Sequence, residues 1–315
     1  MIMTLDNYKV AIIGAGPSGG ILGAFLAQKN VEVTLVDIWK DHINAIRNYG
    51  LQIMGVSNLK IRFDDDHLKV STLELKNIDV NLIFISVKTP YLRNVVQDLA
   101  KVISEEALVV IHQNGAGNEE ILVETFGAGR SFRNVINYAG NILKPGIIDM
   151  TFFNPPNYVG SVVPEKNEIA RSIAQLISSP DFKTEFHENI QHAVWKKVIL
   201  NAALAPVCAI TGQTMREAME FEETNHLASG IIKEGIKVTE AMGIQFGSDF
   251  HEICMNYLSK GGHHKPSMLI DIENRNPTEI EFLNGKIVEL GKKFKIPVPL
   301  NEATTTYVKA LESKY

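Results

Sequence analysis

The chain has 315 residues, of which 45% are hydrophobic and 21% charged, with a formal net charge of -5. At ~150 residues per domain this length fits two domains with cores that need no disulfide staples, and the mild acidity argues against a nucleic-acid or anionic-membrane surface. Two distant cysteines, Cys208 and Cys254, no zinc-ligand spacing, no signal-peptide pattern and no apolar run of about 18 residues lead us to expect a cytoplasmic protein with reduced thiols, without a metal, a membrane anchor or a nucleic-acid partner.

Residues 8–37 read as a strand, a glycine turn, a helix and a second strand. Val10, Ala11, Ile12 and Ile13 make the apolar run of a parallel strand covered on both faces. Gly14, Gly16 and Gly19 follow at GxGxxG spacing, with Pro17 and Ser18 between the last two. In such a turn the first glycine permits the bend, the second admits a pyrophosphate to the backbone, and the third lets helix and strand lie close. The helix N-terminus then offers its free N–H groups to the phosphates. About 20 residues further on, where a carboxylate would hold the ribose hydroxyls, stands Asp37. Gly14, Gly16, Pro17, Ser18, Gly19 and Asp37 thus form a candidate dinucleotide site. A carboxylate there repels the extra phosphate of NADP, so the expected cofactor is NAD(H). The other reading of Asp37 is a helix N-cap before Lys40.

A short helix is expected over 41–49 and short strands over 51–56 and 59–63. Residues 79–87 form the next buried strand, ending at Lys88, and a helix over 91–102 follows. Residues 108–112 are another apolar strand, which runs into Gln113-Asn114-Gly115-Ala116-Gly117 ahead of a helix over 119–126. Strands alternating with helices specify a doubly wound parallel sheet, with ligands past the strand carboxyl ends, where Lys88 and Asn114 stand. Residues 134–164 read as an antiparallel extension of that sheet, 168–179 as a helix, and the charged stretch 181–188 as a linker. Helical periodicity dominates the rest: 189–210, 215–242, 249–259, 278–294 and 300–311. The expected fold is therefore α/β, a Rossmann-type doubly wound sheet over residues 1–185 followed by an all-helical domain over 186–315.

On the first of these late helices Lys197 and Asn201 lie four residues apart, on one face, among Val194, Val198 and Leu204. An amine and an amide held together in apolar surroundings suit a substrate carbonyl. A lysine snorkelling beside a surface asparagine explains the same pair. Later, Asn276 fits an N-cap, Pro277 a first helical position and Glu279 a capping-box glutamate; Ser267 too has a cap as its plain reading. No GxSxG elbow accompanies Ser267, and His263-His264 read as loop residues.

Taken together, GAGPSG, SVKTP around Lys88, HQNGAGN around Asn114, WKKVILN around Lys197 and SMLIDIENRNPTEIEFLNG through Ser267 and Glu279 resemble the ketopantoate reductase family over the whole chain. The resemblance implies nicotinamide-dependent reduction of a 2-oxo acid to a D-2-hydroxy acid. It implies that Lys197 is the general acid, with Glu279 positioning it or coupled to its proton and reaching the cofactor. Ser267 becomes a ligand of the substrate carboxylate, Asn114 and Asn201 amides around substrate and nicotinamide, and Lys88 a cofactor contact. Where ketopantoate reductases usually carry two further asparagines, this chain has Ala205 and Met215, and Asp37 opposes the usual NADPH. These departures resemble the NAD-dependent D-2-hydroxyacid dehydrogenases of the family, such as the D-mandelate dehydrogenases. Branched or aromatic 2-oxo acids, such as 2-ketoisovalerate or benzoylformate, are therefore the first expectation and ketopantoate the second. A non-catalytic NAD(H)-binding protein is the alternative of another class. A helical domain apolar on more than one face leads us to expect a homodimer.

Overall fold

Five consecutive residues with at most one exposed edge, Lys9–Ile13, form β1, and the helix after the glycine turn, α1 (Pro17–Gln28), leads into β2 (Glu32–Val36). The computed structural model describes residues 8–315, which fall into two units, one running to Gln113 and resuming over Asn118–Ile190, the other comprising Asn114–Gly117 and Gln191–Tyr315.

In the first unit α2 (Lys40–Tyr49), β3 (Leu51–Gly55), β4 (Leu59–Ile61) and β5 (Leu68–Lys69) follow β2, then β6 (Leu82–Ile85), α3 (Leu92–Leu99), β7 (Leu108–Ile111) and α4 (Asn118–Phe126). The remainder is β8 (Ser131–Val135), β9 (Tyr138–Lys144), β10 (Ile147–Phe153), β11 (Asn157–Ser161), α5 (Asn167–Ile177) and β12 (Thr184–Phe186). An eight-stranded sheet runs in the order β12-β11-β8-β7-β6-β1-β2-β5, parallel except where β11 meets β8. β1 lies between β2 and β6, so the glycine turn leaves the middle of the sheet where the strand order reverses.

Two expectations change here. Residues 138–153 do not extend the main sheet: β9 and β10 join β3 and β4 in a second sheet of order β4-β3-β10-β9. The reason lies in α1, whose sequence PSGGILGAFLAQ is apolar all round and so needs cover on every side. The second sheet supplies it: a Cβ added at Gly20 would sit 2.4 Å from Ile148 Cδ1, so that glycine is what lets β10 lie on the helix. The charged stretch taken as a linker also becomes part of the sheet, since β12 pairs in parallel with β11.

The second unit is helical: α6 (Ile190–Thr211), α7 (Met215–Glu220), α8 (Glu222–Ala241), α9 (Phe250–Leu258), α10 (Ser267–Glu273), α11 (Asn284–Phe294) and α12 (Pro299–Glu312). α6 is long and apolar enough to cross a membrane by length and composition, but most of it is buried within the protein and it carries Lys196, Lys197, Asn201 and Pro206. That is the pattern of a central core helix. The single helix expected over 215–242 is broken at Phe221, whose extended backbone (φ -83°, ψ 119°) ends α7. Thr224 Oγ1 donates to Ala218 O and Asn225 Nδ2 to Met219 O (2.9 Å), so two side chains satisfy carbonyls the break leaves open.

Candidate active site

In the first unit the three glycines do three different things. Gly14 has φ +97°, and a Cβ there would lie 2.9 Å from the backbone carbon of Ser86. Gly19 could carry no Cβ either, since it would fall 1.9 Å from Gly14 O. Gly16, by contrast, has nothing within 4 Å of its Cβ position, leaving the approach to the backbone open. Gly16 is the N-cap of α1 and Pro17 its first residue, so the helix N-terminus faces that space with a preset φ. Nearby, Ser86 Oγ is buried without a hydrogen-bond partner among the described residues. The open backbone, the helix N-terminus and the spare hydroxyl fit a dinucleotide pyrophosphate.

Asp37 leaves β2 with both oxygens directed at backbone: Oδ2 accepts from Ala15 N–H (2.8 Å) and Oδ1 from Trp39 N–H (2.9 Å). The N-cap of α2 is Trp39 and receives no side-chain cap, so Asp37 ties the glycine turn to the strand end and does not cap the helix. Each oxygen keeps a lone pair for a ribose hydroxyl.

Two buried groups behind the turn escaped the sequence reading. His42 Nδ1 accepts from Gly146 N–H (3.1 Å), which leaves Nε2–H to donate to Ala15 O (3.0 Å). Burial holds its pKa below the usual histidine value, with Asp37 pulling the other way. Tyr138 Oη–H donates to Ser18 O (2.8 Å) and accepts from His112 Nε2–H (2.6 Å), while Asn134 Nδ2 donates to His112 Nδ1 (3.0 Å). The histidines and tyrosine were visible in the sequence, but nothing local marks partners 104 and 120 residues away. Lys88 stands half-buried after β6 as the N-cap of a 3-10 turn over Thr89–Tyr91.

The second unit gathers the other candidates. Lys197, Asn201 and Ala205 recur at four-residue spacing on α6 and are all half-buried, whereas Val194, Val198 and Leu204 are fully buried. Met215 opens α7 behind a complete capping box, in which Thr214 N–H donates to Glu217 Oε2 (2.8 Å) and Glu217 N–H to Thr214 Oγ1 (3.4 Å). Its N–H donates to His264 O (3.2 Å), which ties α7 to the loop ahead of Ser267. Ser267 is the exposed first residue of α10, and the cap position is Pro266, so Ser267 does not cap the helix. Glu279 does not complete a capping box: it precedes a 3-10 turn over Ile280–Phe282, with no side-chain cap, and α11 begins only at Asn284. Thr278 explains the delay, because its N–H is held by Glu312 Oε1 (2.6 Å) and its Oγ1 accepts from Ile280 N–H (3.2 Å). Gly115 (φ +87°) brings the Asn114 segment to the same turn, where Ala116 N–H donates to Phe282 O (2.9 Å). Cys208 and Cys254 are buried, with burial raising both thiols to about 12, so neither is a nucleophile.

A parallel sheet with this glycine turn at its switch point, joined to a helical unit, defines a dinucleotide-dependent enzyme of the two-unit kind. Residues 10–163 match the family model described as ketopantoate reductase PanE/ApbA, and residues 189–312 match its C-terminal counterpart. A 2-dehydropantoate 2-reductase of Pyrococcus horikoshii is 31% identical over 97% of this chain and 98% of its own length. Another, from Streptococcus pyogenes, is 27% identical over 96% and 98%. A solved structure of D-mandelate dehydrogenase with NADH and anilino(oxo)acetate is 25% identical, covers 97% of this chain and 99% of its own, and superposes with a TM-score of 0.87. The chain belongs to the ketopantoate reductase family and is an NAD(P)-dependent oxidoreductase acting on a small 2-oxo acid. That sets aside a non-catalytic binding protein.

Proposed function

We propose that the protein is a 2-dehydropantoate 2-reductase, converting ketopantoate to the D-2-hydroxy acid pantoate. The near full-length match to relatives of that name carries this reading, and it reverses the order of substrates expected from the sequence. Bound nicotinamide supplies hydride to the carbonyl carbon. In our reading Lys197 Nζ donates to the ketone oxygen and protonates the developing alkoxide, a charge it stabilises best in apolar surroundings. Asn201, one turn along, orients the same oxygen together with Asn114, Ser267 holds the substrate carboxylate, and Glu279 keeps Lys197 in register. The first unit would hold the cofactor through Gly14, Gly16, Pro17, Ser18, Gly19 and Lys88, with Asp37 on the ribose favouring NAD(H) over NADP(H).

One observation favours a second reading. Ala205 and Met215 offer no hydrogen-bonding side chain for the terminal hydroxyl of ketopantoate. An apolar pocket discriminates by only about 1–3 kcal/mol, so branched or aromatic 2-oxo acids such as 2-ketoisovalerate and benzoylformate would then be turned over comparably. The test is kcat/KM for the three acids with NADH and with NADPH. Ketopantoate leading by more than about a hundredfold supports the first reading, near parity supports the second, and silence with all three refutes both. Replacing Lys197→Ala should lower kcat by about 100-fold or more with NADH binding retained; unchanged turnover would remove Lys197 from the mechanism. We further infer a cytoplasmic homodimer, for which a mass measured in solution corresponding to one 35.0 kDa chain would be the contrary result.

A further inference from the structure

α6 contains Pro206, which has no N–H to give the carbonyl four residues back, that of Ala202. Ala202 follows Asn201 directly and lies between Lys197 and Ala205, so the missing bond falls in the middle of the candidate catalytic stretch. The carbonyl is not left open: Asn284 Nδ2, from the first residue of α11, donates to Ala202 O at 3.1 Å. Asn284 is fully buried.

Its amide is itself aimed by a chain of buried groups. Glu234 of α8 accepts from Leu300 N–H (3.0 Å), Asn301 N–H (3.0 Å) and Asn301 Nδ2 (2.7 Å), a carboxylate at the N-terminus of α12. With its Nδ2 so engaged, Asn301 turns Oδ1 toward Asn284 Nδ2 (3.0 Å), and Thr304 Oγ1 lies 3.3 Å from the same nitrogen. α8 reaches α6 directly as well, where a Cβ on Gly235 would meet Ile199 Cγ1 at 3.0 Å. Asn284 also stands just past the Ile280–Phe282 turn that Glu279 precedes, with Leu283 between them.

We propose that Asn284 is a positioning residue, its amide fastening the turn that carries Glu279 to the proline-opened segment of α6 that carries Lys197 and Asn201. Pro206 makes the vacancy, and the Glu234–Asn301 pair orients the amide that fills it. The proposal rests on the reductase reading for its consequence in turnover, but the fastening itself is measurable without activity.

The decisive comparison is Asn284→Leu, which keeps the forked shape of the side chain and removes the donor, with and without Pro206→Ala, which returns an N–H to Ala202 O within the helix. In Asn284→Leu, kcat should fall at least tenfold while the dissociation constant for NADH changes less than twofold. Native-state hydrogen exchange should quicken together in residues 197–205 and 278–283. In the double variant, exchange in 197–205 should slow again, because the carbonyl has its helical partner back. Exchange in 278–283 should stay fast and kcat low, because the tie between the two segments is still missing. A double variant that recovers kcat along with helix protection would show Asn284 to be only a filler for the helix bond and overturn the proposal. So would an Asn284→Leu protein in which just one segment loosens. If the wild-type protein reduces no 2-oxo acid, the reductase reading falls, and the paired exchange behaviour still decides the fastening.

Discussion

A hydrogen atom in place of a methyl group means different things at the three glycines of the turn, which lets folding and binding be separated by single substitutions. At Gly19 a Cβ would lie 1.9 Å from Gly14 O, a contact no relaxation of a flexible side chain can relieve, since the atom met is backbone. Gly19→Ala should therefore destabilise the first unit by several kcal/mol, on the order of an overpacked core. Gly16 has φ -63° and an empty Cβ position, so Gly16→Ala should leave the unfolding midpoint of the free protein unchanged. Its methyl would occupy the space where a pyrophosphate meets the backbone, so NADH affinity should drop at least tenfold. Calorimetry and fluorescence titration of both variants test this pair of expectations; a Gly16→Ala protein that binds NADH normally would displace the phosphate site from this turn. Asp37 belongs to the same scale. With each oxygen already accepting one backbone N–H, the carboxylate is held in place, and the extra phosphate of NADP would be repelled by it. Asp37→Ala combined with Ile38→Arg should move the NADPH to NADH ratio of kcat/KM upward by about tenfold or more, equivalent to about 1.4 kcal/mol. An unchanged ratio would mean that Asp37 does not govern cofactor choice.

Among the elements, α7 shows how a short helix is given a fixed start. Its six residues are too few to persist on propensity alone, and the reciprocal bonds of Thr214 and Glu217 supply what the sequence lacks in length. Thr214→Ala should cost about 1 kcal/mol, read as a shift of the urea midpoint with the slope unchanged. A null effect would mean the bonds from Met215 and Arg216 to the 262–264 loop hold α7 by themselves. Elements of this kind also mark what was readable in advance. The parallel strands β1, β2, β6 and β7 announce themselves as apolar runs, and the glycine spacing places the turn, because those signals are local. The break at Phe221 was not legible: periodicity continues across it, and the side chains that close it, Thr224 and Asn225, look like ordinary helix-interior polar residues. The separation of β9 and β10 into a second sheet was missed for another reason. Whether a strand joins one sheet or another depends on which helix face needs cover, and the all-apolar α1 was the clue. Among the candidates of the second unit, helical spacing singled out Lys197 and Asn201, whereas the roles given to Ser267 and Glu279 came from the motif alone. The proline vacancy at Ala202 could be read from Pro206, but its partner Asn284 lies 82 residues away and carries no mark of its own.

For the whole molecule, three histidines shielded from water contribute to how stability responds to mild acid, and the two units can be followed apart. The chain has two tryptophans, Trp39 beside His42 in the first unit and Trp195 buried in the second, so each unit has its own fluorescent reporter. His42 has its pKa lowered from 6.5, chiefly by burial, and His192 and His264 of the second unit are lowered by burial as well. A base held below its ordinary pKa in the folded state takes up its proton first in the unfolded chain. Above 6.5 both states are neutral and the contribution is constant; as pH falls below 6.5, protons favour the unfolded state, until the folded-state pKa is passed. Each such group can contribute a slope of at most about 1.4 kcal/mol per pH unit in that window. Glu217, lowered from 4.5 by its bonds to Thr214, loses its contribution in a more acidic range, as pH falls below 4.5. Protonating His42 would also set a new N–H at Nδ1 against the Gly146 N–H it now accepts, opening the tie between the second sheet and the glycine turn. Urea midpoints followed by fluorescence in a Trp195→Phe protein should therefore fall between pH 6.5 and 5 for the first unit. His42→Gln should flatten that fall without altering the second unit in a Trp39→Phe background. An equally steep decline in the first unit after the His42 replacement would assign its acid sensitivity to other groups.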